Sequence, residues 1–192
     1  KYNLLYLDTG KLYRFLGYLK IKLGKNFSIK MARKEISNLK IKKLSNKILL
    51  DSKVATEASI IAKDKKIRNI VKNFQLKCAY NPPLKFSGSV LDGRDITSVI
   101  MKKAMFKFFI TANLKIRAKR RYLEFKKLGK IISYKEVLKS LRKRDYLDRN
   151  RSISPLKKTS DSILINTSKL SKKASFLKIK VIMDKKLKLN GS

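Results

Sequence analysis

Phe106-Lys107-Phe108-Phe109-Ile110-Thr111 (FKFFIT, residues 106–111) is apolar almost from end to end. A strand with one face in water alternates apolar and polar residues. A continuous apolar run of this length is what a parallel strand covered on both faces requires. The chain around it alternates accordingly. Downstream, residues 114–128 have helical spacing and Gly129 stops them. Ser133, with Glu136 three residues on, forms a capping-box pattern and predicts a second helix to Arg144 or beyond. Ser162 to Asn166 (SILIN) reads as the last strand. Residues 171–187 can form a helix with Ala174, Leu177, Ile179 and Met183 only roughly in phase.

Upstream, Val90-Leu91 lead into the charged turn Asp92-Gly93-Arg94-Asp95, so another strand ends there. Residues 80–88 hold Asn81-Pro82-Pro83 and Ser87-Gly88 and read as loop. Residues 53–79 carry a helical apolar pattern with a bend expected at Asp64. Residues 39–50 suggest a short hairpin around Ser45-Asn46. Asn3 to Asp8 (NLLYLD) is a short strand ending in the turn Asp8-Thr9-Gly10; a helix with Leu12, Phe15, Leu16 and Leu19 on one face follows. Strands alternating with helices give an α/β fold with a parallel sheet flanked by helices. Ligands of such sheets bind beyond the carboxyl ends of the strands, which places Asp8 and the 92–95 turn on one rim.

The 192 residues include no histidine and one cysteine, Cys78. Disulfides within the chain, histidine general bases, Cys–His nucleophiles and ordinary structural zinc sites are excluded. Cys78 is expected to be a small buried apolar residue, and the cysteine usage fits a reducing cytoplasm. No apolar run is long enough to span a bilayer. The net charge of +37 raises the prospect of a nucleic-acid partner. Most of the excess is lysine spread evenly along the chain, which reads as solvated helix faces. Arginine is more informative, because its planar fork grips phosphate and carboxylate, and most arginines fall between Arg94 and Arg151.

Three segments carry chemistry. In Arg144-Asp145-Tyr146-Leu147-Asp148-Arg149-Asn150-Arg151, aspartates interleave with arginines and can orient them on a polyanion. Arg117 and Arg121, four apart, share a helix face, with Arg120 between them. Two arginine clusters flanking a helical hairpin would suit a flap that closes over nucleotide phosphates. The turn Asp92-Gly93-Arg94-Asp95 can hold Mg2+, a phosphate or a base edge. Asp8-Thr9-Gly10 with Tyr13-Arg14 aims an arginine at a helix N-terminus, where anions bind.

In order and spacing these segments resemble the bacterial cytidylate kinase (CMP/dCMP kinase) family over about residues 3–170. The family pattern D-S/T-G-x-x-Y-R is met by Asp8 to Arg14, and A-S before a helical arginine by Ala58-Ser59 and Arg68. D-G-R-D is met at 92–95, and R-x-x-R-R at Arg117 to Arg121. R-D-x-x-D-R-x-R-x-x-x-P-L is met by Arg144 to Leu156, and the closing strand pattern by Ser160 to Thr167. The resemblance implies a P-loop nucleoside monophosphate kinase fold: a core over 1–170, a CMP-binding region over about 15–75, an arginine-rich lid over about 114–156, and a C-terminal helix and tail over 171–192. It implies phosphoryl transfer from ATP, with Mg2+, to CMP or dCMP. Arg14, Arg94 and Arg151 would hold the CMP phosphate beside Thr9; Ser59, Arg68 and Asp95 would read the cytosine; Arg144 and Asp148 would contact the sugar. Arg117, Arg120, Arg121 and Arg149 would form the lid over ATP. Arg94, Arg151 and Arg149 would act on the transferring group, and Asp92 could serve Mg2+.

Physics agrees: a carboxylate accepts from the cytosine 4-amino group and repels the uracil 4-carbonyl. Phosphoryl transfer asks for positioned cations rather than side-chain acid–base chemistry. The expected partners are CMP, dCMP and ATP, with no membrane and no specific nucleic acid, in a cytoplasmic protein that is a monomer when complete.

Three departures qualify the match. No stretch fits the phosphate loop G-x-x-x-x-G-K-S/T, expected about two dozen residues before Asp8. The chain is therefore read as cut off before that loop, with the central first strand missing. That would leave the strands at 3–8 and 90–95 as one pair and those at 106–111 and 162–166 as another, and the 192 residues alone inactive and poorly folded or aggregation-prone. The stretch from Arg14 to Ser59 is short, so the small sheet of the CMP-binding insert is expected to be reduced or missing. Thr97 replaces a family glycine. The competing readings are a basic RNA-binding or ribosome-associated protein, and a nucleoside monophosphate kinase with another acceptor.

Overall fold

Among the described residues, short apolar runs between polar turns give four strands, and the longer segments between and after them give seven α-helices. The computed structural model describes residues 2–188. It divides into two compact units, one up to Met101 and one from Lys102 onward. The end of the expected tail, 189–192, lies outside the described residues.

In the first unit, β1 (Leu4–Asp8) pairs in parallel with β2 (Gly88–Asp92), with Asp8 opposite Asp92. Between them run α1 (Gly10–Leu23), α2 (Ile29–Ser37), α3 (Ser52–Ile61) and α4 (Lys65–Tyr80). The core gathers Leu5 and Leu7 of β1, Leu12 and Leu16 of α1, Ile36 of α2, and Ile67 and Val71 of α4. Each such side chain contributes on the order of 2 kcal/mol. Gly17 allows α1 and α3 to touch: a Cβ there would stand 2.8 Å from the Ala58 amide nitrogen and 3.0 Å from the Val54 carbonyl oxygen. The bend expected at Asp64 is a helix start. Its carboxylate accepts from the Lys66 and Ile67 amides at 2.6 and 3.3 Å and caps α4. Cys78 is free and buried, as expected, and burial raises its thiol pKa.

The hairpin expected over 39–50 does not form. Ile41–Ser45 and Lys47–Leu50 are 3₁₀ turns joined at Asn46, whose side chain caps the second turn by accepting from the Ile48 amide at 3.0 Å. Leu44 and Leu49, five residues apart, are each buried from a separate 3₁₀ turn. Among the described residues no strand lies between Asp8 and Gly88, which agrees with a reduced insert sheet. Thr97 falls in a π-helical turn, Ile96–Ile100, and does not adopt the left-handed backbone that would have required glycine.

In the second unit β3 (Phe108–Thr111) pairs in parallel with β4 (Ile163–Asn166), followed by α7 (Lys172–Lys186). The strands pair in parallel as expected, β1 with β2 and β3 with β4, in two two-stranded sheets. But β3 is not covered on both faces: Ile110 is 51% exposed, and Ile163 and Leu164 of β4 are also exposed, because this sheet has only two described strands. Between β3 and β4, α5 (Leu114–Lys127) and α6 (Tyr134–Asn150) form an antiparallel helical hairpin. Gly129, at φ 68°, lets the chain leave α5. The capping box is present: the Ser133 hydroxyl accepts from the Glu136 amide, and the Glu136 carboxylate accepts from the Ser133 amide. Among the described residues no helix is long and apolar enough to cross a membrane.

Candidate functional site

The rim of the first unit is built where β1 and β2 end. The Thr9 amide and hydroxyl both donate to the Asp92 carbonyl, at 2.9 and 2.7 Å. Thr9 therefore begins α1 without a side-chain cap, because its hydroxyl ties the two strand ends instead. Gly93 is forced by this closeness: a Cβ would lie 2.3 Å from the Thr9 hydroxyl and 3.0 Å from the Ile96 side chain. On the sheet face, the Tyr6 hydroxyl donates to an Asp92 carboxylate oxygen at 3.4 Å. Burial and then the Asp92 and Asp8 carboxylates push the Tyr6 pKa up to about 12, so it remains a phenol donor.

Beyond Gly93, Arg94 is half-buried and Asp95 is buried. Arg68, on α4, donates to an Asp95 carboxylate oxygen at 2.6 Å, and each side chain is only 11% exposed. A second Arg68 nitrogen reaches the Ala62 carbonyl at 3.3 Å, and the guanidinium stands 5.8 Å from the Tyr13 ring centre. Arg14 donates to the Leu49 carbonyl at 2.7 Å, which fixes its direction off α1. Ser59 is exposed on α3 and its hydroxyl donates to the Thr56 carbonyl at 2.7 Å.

Among the described residues no three His, Cys, Asp or Glu side chains converge on one point, so a resident all-protein metal cage does not fit. The paired strand ends bring Asp8 and Asp92 together. That suits a cation such as Mg2+, which keeps waters and phosphate oxygens as most of its ligands.

The second unit concentrates arginine on its helical hairpin. Arg117 of α5 grips Asp145 of α6 with both terminal nitrogens, and its Nε donates to the Ala112 carbonyl at 2.9 Å. The hydrogen bonds to Asp145 raise the Arg117 pKa further. Arg120 turns toward the end of β4, donating to the Thr167 hydroxyl and carbonyl at 3.2 and 2.7 Å and the Leu170 carbonyl at 3.0 Å. Arg121 pairs with Glu124 at 2.7 Å and lies 4.2 Å from the Phe125 ring centre. Arg144 and Arg151 each stand 3.8 Å from the Asp148 carboxylate, and Arg151 donates through Nε to the Ser154 carbonyl at 2.6 Å. Arg149 is exposed on α6.

The comparison with known families decides what this arrangement belongs to. The cytidylate kinase family model matches residues 1–182. The chain belongs to the cytidylate kinase family. A cytidylate kinase of Clostridium tetani is 36% identical over 185 residues, covering 88% of this chain and 77% of the relative. One of Clostridium botulinum is 34% identical over 179 residues, covering 88% and 80%. One of Fusobacterium nucleatum is 34% identical over 182 residues, covering 89% and 81%.

Of the residues singled out by resemblance to cytidylate kinases, Arg68 and Asp95 meet directly, and Thr9 is tied to Asp92. Arg144 and Arg151 flank one carboxylate, Asp148. Arg117, Arg120 and Arg121 diverge to three different partners, although Arg117 and Arg121 share a helix face. Tyr6 was not singled out from the sequence; Tyr13, Asp145 and Thr167 lay within the quoted motifs but had no partner assigned. Tyr6 lies two residues before Asp8 on a strand, and that spacing puts both side chains on one sheet face. The partners of the others had no local signal, since Asp145 lies 28 residues from Arg117 and Thr167 lies 47 from Arg120.

Proposed function

We propose that this chain serves phosphoryl transfer from ATP, brought with Mg2+, to the phosphate of CMP or dCMP, giving ADP and CDP or dCDP. The observation that carries this reading is the Arg68–Asp95 pair, 2.6 Å apart and nearly dry, beyond the carboxyl ends of a parallel strand pair. A carboxylate held there keeps lone pairs for the cytosine amino group. Arg68 supplies the donors that cytosine's ring acceptors need, and Ser59 stands ready on α3. Arg14 and Arg94 are the first unit's cations for the acceptor phosphate, next to Thr9. By resemblance, Arg151 is assigned to phosphate and Arg144 with Asp148 to the sugar. The lid arginines Arg117, Arg120, Arg121 and Arg149 are assigned to the donor side. Mg2+ carried in with ATP would supply charge neutralisation at the phosphates, and Asp92 with Asp8 are the carboxylates that would face its water shell. The fold implied is that of the P-loop nucleoside monophosphate kinases.

Calorimetric titration with CMP, dCMP and UMP tests the base-reading role. Asp95→Asn gives an amide that can donate to a carbonyl, so the preference for CMP over UMP should shrink by about 1–3 kcal/mol. An unchanged preference removes Asp95 from the role. The phosphate-loop pattern is not among the 192 residues. They are therefore expected to bind CMP alone and to turn it over once joined to a segment bearing strand, phosphate loop and helix start. ADP release from the 192 residues without that segment would place donor binding elsewhere.

A further inference from the structure

Helix α6 carries a stripe of which the kinase reading uses only the last member, Arg149. Lys135, Lys139, Arg142, Tyr146 and Arg149 recur at spacings of four, three, four and three, so they lie along one face, and all are exposed. Tyr146 is 67% exposed in the middle of this row of cations. The stripe runs about 21 Å, with successive side chains roughly 5–6 Å apart along the axis.

Its charge is uncompensated. From Lys102 to Lys188 there are 28 lysines and arginines against six carboxylates. All six carboxylates are engaged within the unit. Glu124 pairs with Arg121, Asp145 with Arg117, Asp148 with Arg144 and Arg151, Asp161 with Lys107, and Asp184 with Lys180. Two carboxylates of α6 flank the stripe and both are turned away from it, Glu136 to Ser133 and Asp145 to Arg117. Among the described residues no ion pair to a carboxylate is made by Lys135, Lys139, Arg142 or Arg149.

We infer that this face of α6 binds the phosphate backbone of single-stranded nucleic acid without sequence preference. Regularly spaced exposed cations track a backbone, and an exposed aromatic among them gives a base a ring to stack on. A lipid surface fits less well, because a membrane-surface helix needs an apolar face and the exposed face here is a charged row broken by a single tyrosine. Binding of this kind follows from charge and needs no change in the nucleotide site.

The test uses fluorescence anisotropy of a labelled oligouridylate of about 20 nucleotides, titrated with the protein across a salt series. The triple variant Lys135→Gln, Lys139→Gln, Arg142→Gln should weaken binding at least tenfold near 100 mM salt. It should also flatten the slope of log affinity against log salt by about 2. Tyr146→Ala should weaken binding about tenfold with the salt slope retained. The control is Lys22→Gln, Lys25→Gln, Lys30→Gln, which removes the same charge from exposed positions of the first unit. An equal loss in the control overturns the assignment, since binding would then follow net charge alone. So does the absence of binding at low salt, or vesicles of anionic lipid outcompeting the oligonucleotide through the same stripe. CMP affinity should be the same in the stripe variants and the parent, because Lys135, Lys139, Arg142 and Tyr146 are not among the residues assigned to CMP. That keeps failure here separate from failure of the kinase reading.

Discussion

Two arginine–aspartate pairs in this molecule use the same chemistry in different surroundings. Arg68 and Asp95 meet at 2.6 Å with 11% of each side chain exposed; Arg117 and Asp145 make a two-pronged bridge with 30% and 18% exposed. Arg144 and Arg151 are looser still, 3.8 Å from Asp148, with Arg144 55% exposed. Removing one partner of a desolvated pair strands a charge, whereas a hydrated arginine can exchange its carboxylate for another anion at little cost. The first unit's pair is thus suited to a fixed task, reading one base edge. The more exposed arginines of the second unit, Arg144 above all, are suited to changing partners, which is what the lid role proposed for that region would ask of them.

The largest test of that contrast is Asp95→Ala. It leaves Arg68 nearly dry without its carboxylate, and denaturant unfolding should report a loss of about 3 kcal/mol. A loss below about 1 kcal/mol, the range of exposed pairs, would erase the distinction between the two regions. Next is Gly93→Ala, whose new Cβ would meet the Thr9 hydroxyl at 2.3 Å and Ile96 at 3.0 Å. Thr9 is buried and tied to Asp92, so it cannot simply swing away. A loss of about 2 kcal/mol is expected, together with weaker CMP binding. Full stability with full affinity would mean that the Thr9–Asp92 tie is not needed to shape the rim.

The same contrast marks what the sequence could disclose. Features written within a few residues were legible: the apolar run FKFFIT became β3, Asp64 became a cap, and Ser133 with Glu136 became a capping box. Asp8 and Asp92 came to one rim because both end parallel strands. What failed was non-local. Nothing inside FKFFIT states what will cover its faces, because that is set by elements far along the chain, and Ile110 is left 51% exposed. Residues 39–50 were ambiguous because Leu44 and Leu49 fit either a turn or a strand until the core that receives them is known. Site residues were legible as types but not as partners. Arg68 and Asp95 were both named, yet their direct contact across 27 residues had no local sign.

A smaller effect is expected at Arg117→Lys. The ammonium keeps the charge but loses the fork on Asp145 and the bond to the Ala112 carbonyl. Because the pair is partly hydrated, the stability change should be at most about 1 kcal/mol. If thermal unfolding instead shows a loss equal to that of Asp95→Ala, the second unit's bridge is as structural as the first unit's pair, and a lid role for Arg117 is undermined.

The smallest predicted effect is a pH response confined to the start of α6. The Glu136 carboxylate accepts from the Ser133 hydroxyl and, at 2.8 Å, from the Ser133 amide, and these bonds hold its pKa below the ordinary glutamate value. A carboxyl group whose folded pKa is depressed stabilises the fold above its unfolded pKa, and that contribution is lost as pH falls through the folded value. Acidification below the ordinary glutamate range should therefore loosen the first turn of α6. Hydrogen-exchange protection of the Ser133 and Glu136 amides, corrected for intrinsic rates, should fall there. Glu136→Gln retains an acceptor for the capping box but has no proton to take up, so its protection should be lower at neutral pH and flat on acidification. Parallel losses in both proteins would show that the acid sensitivity of this turn arises from another carboxylate. Asp145 and Asp148, on the same helix, would then be the residues to vary next.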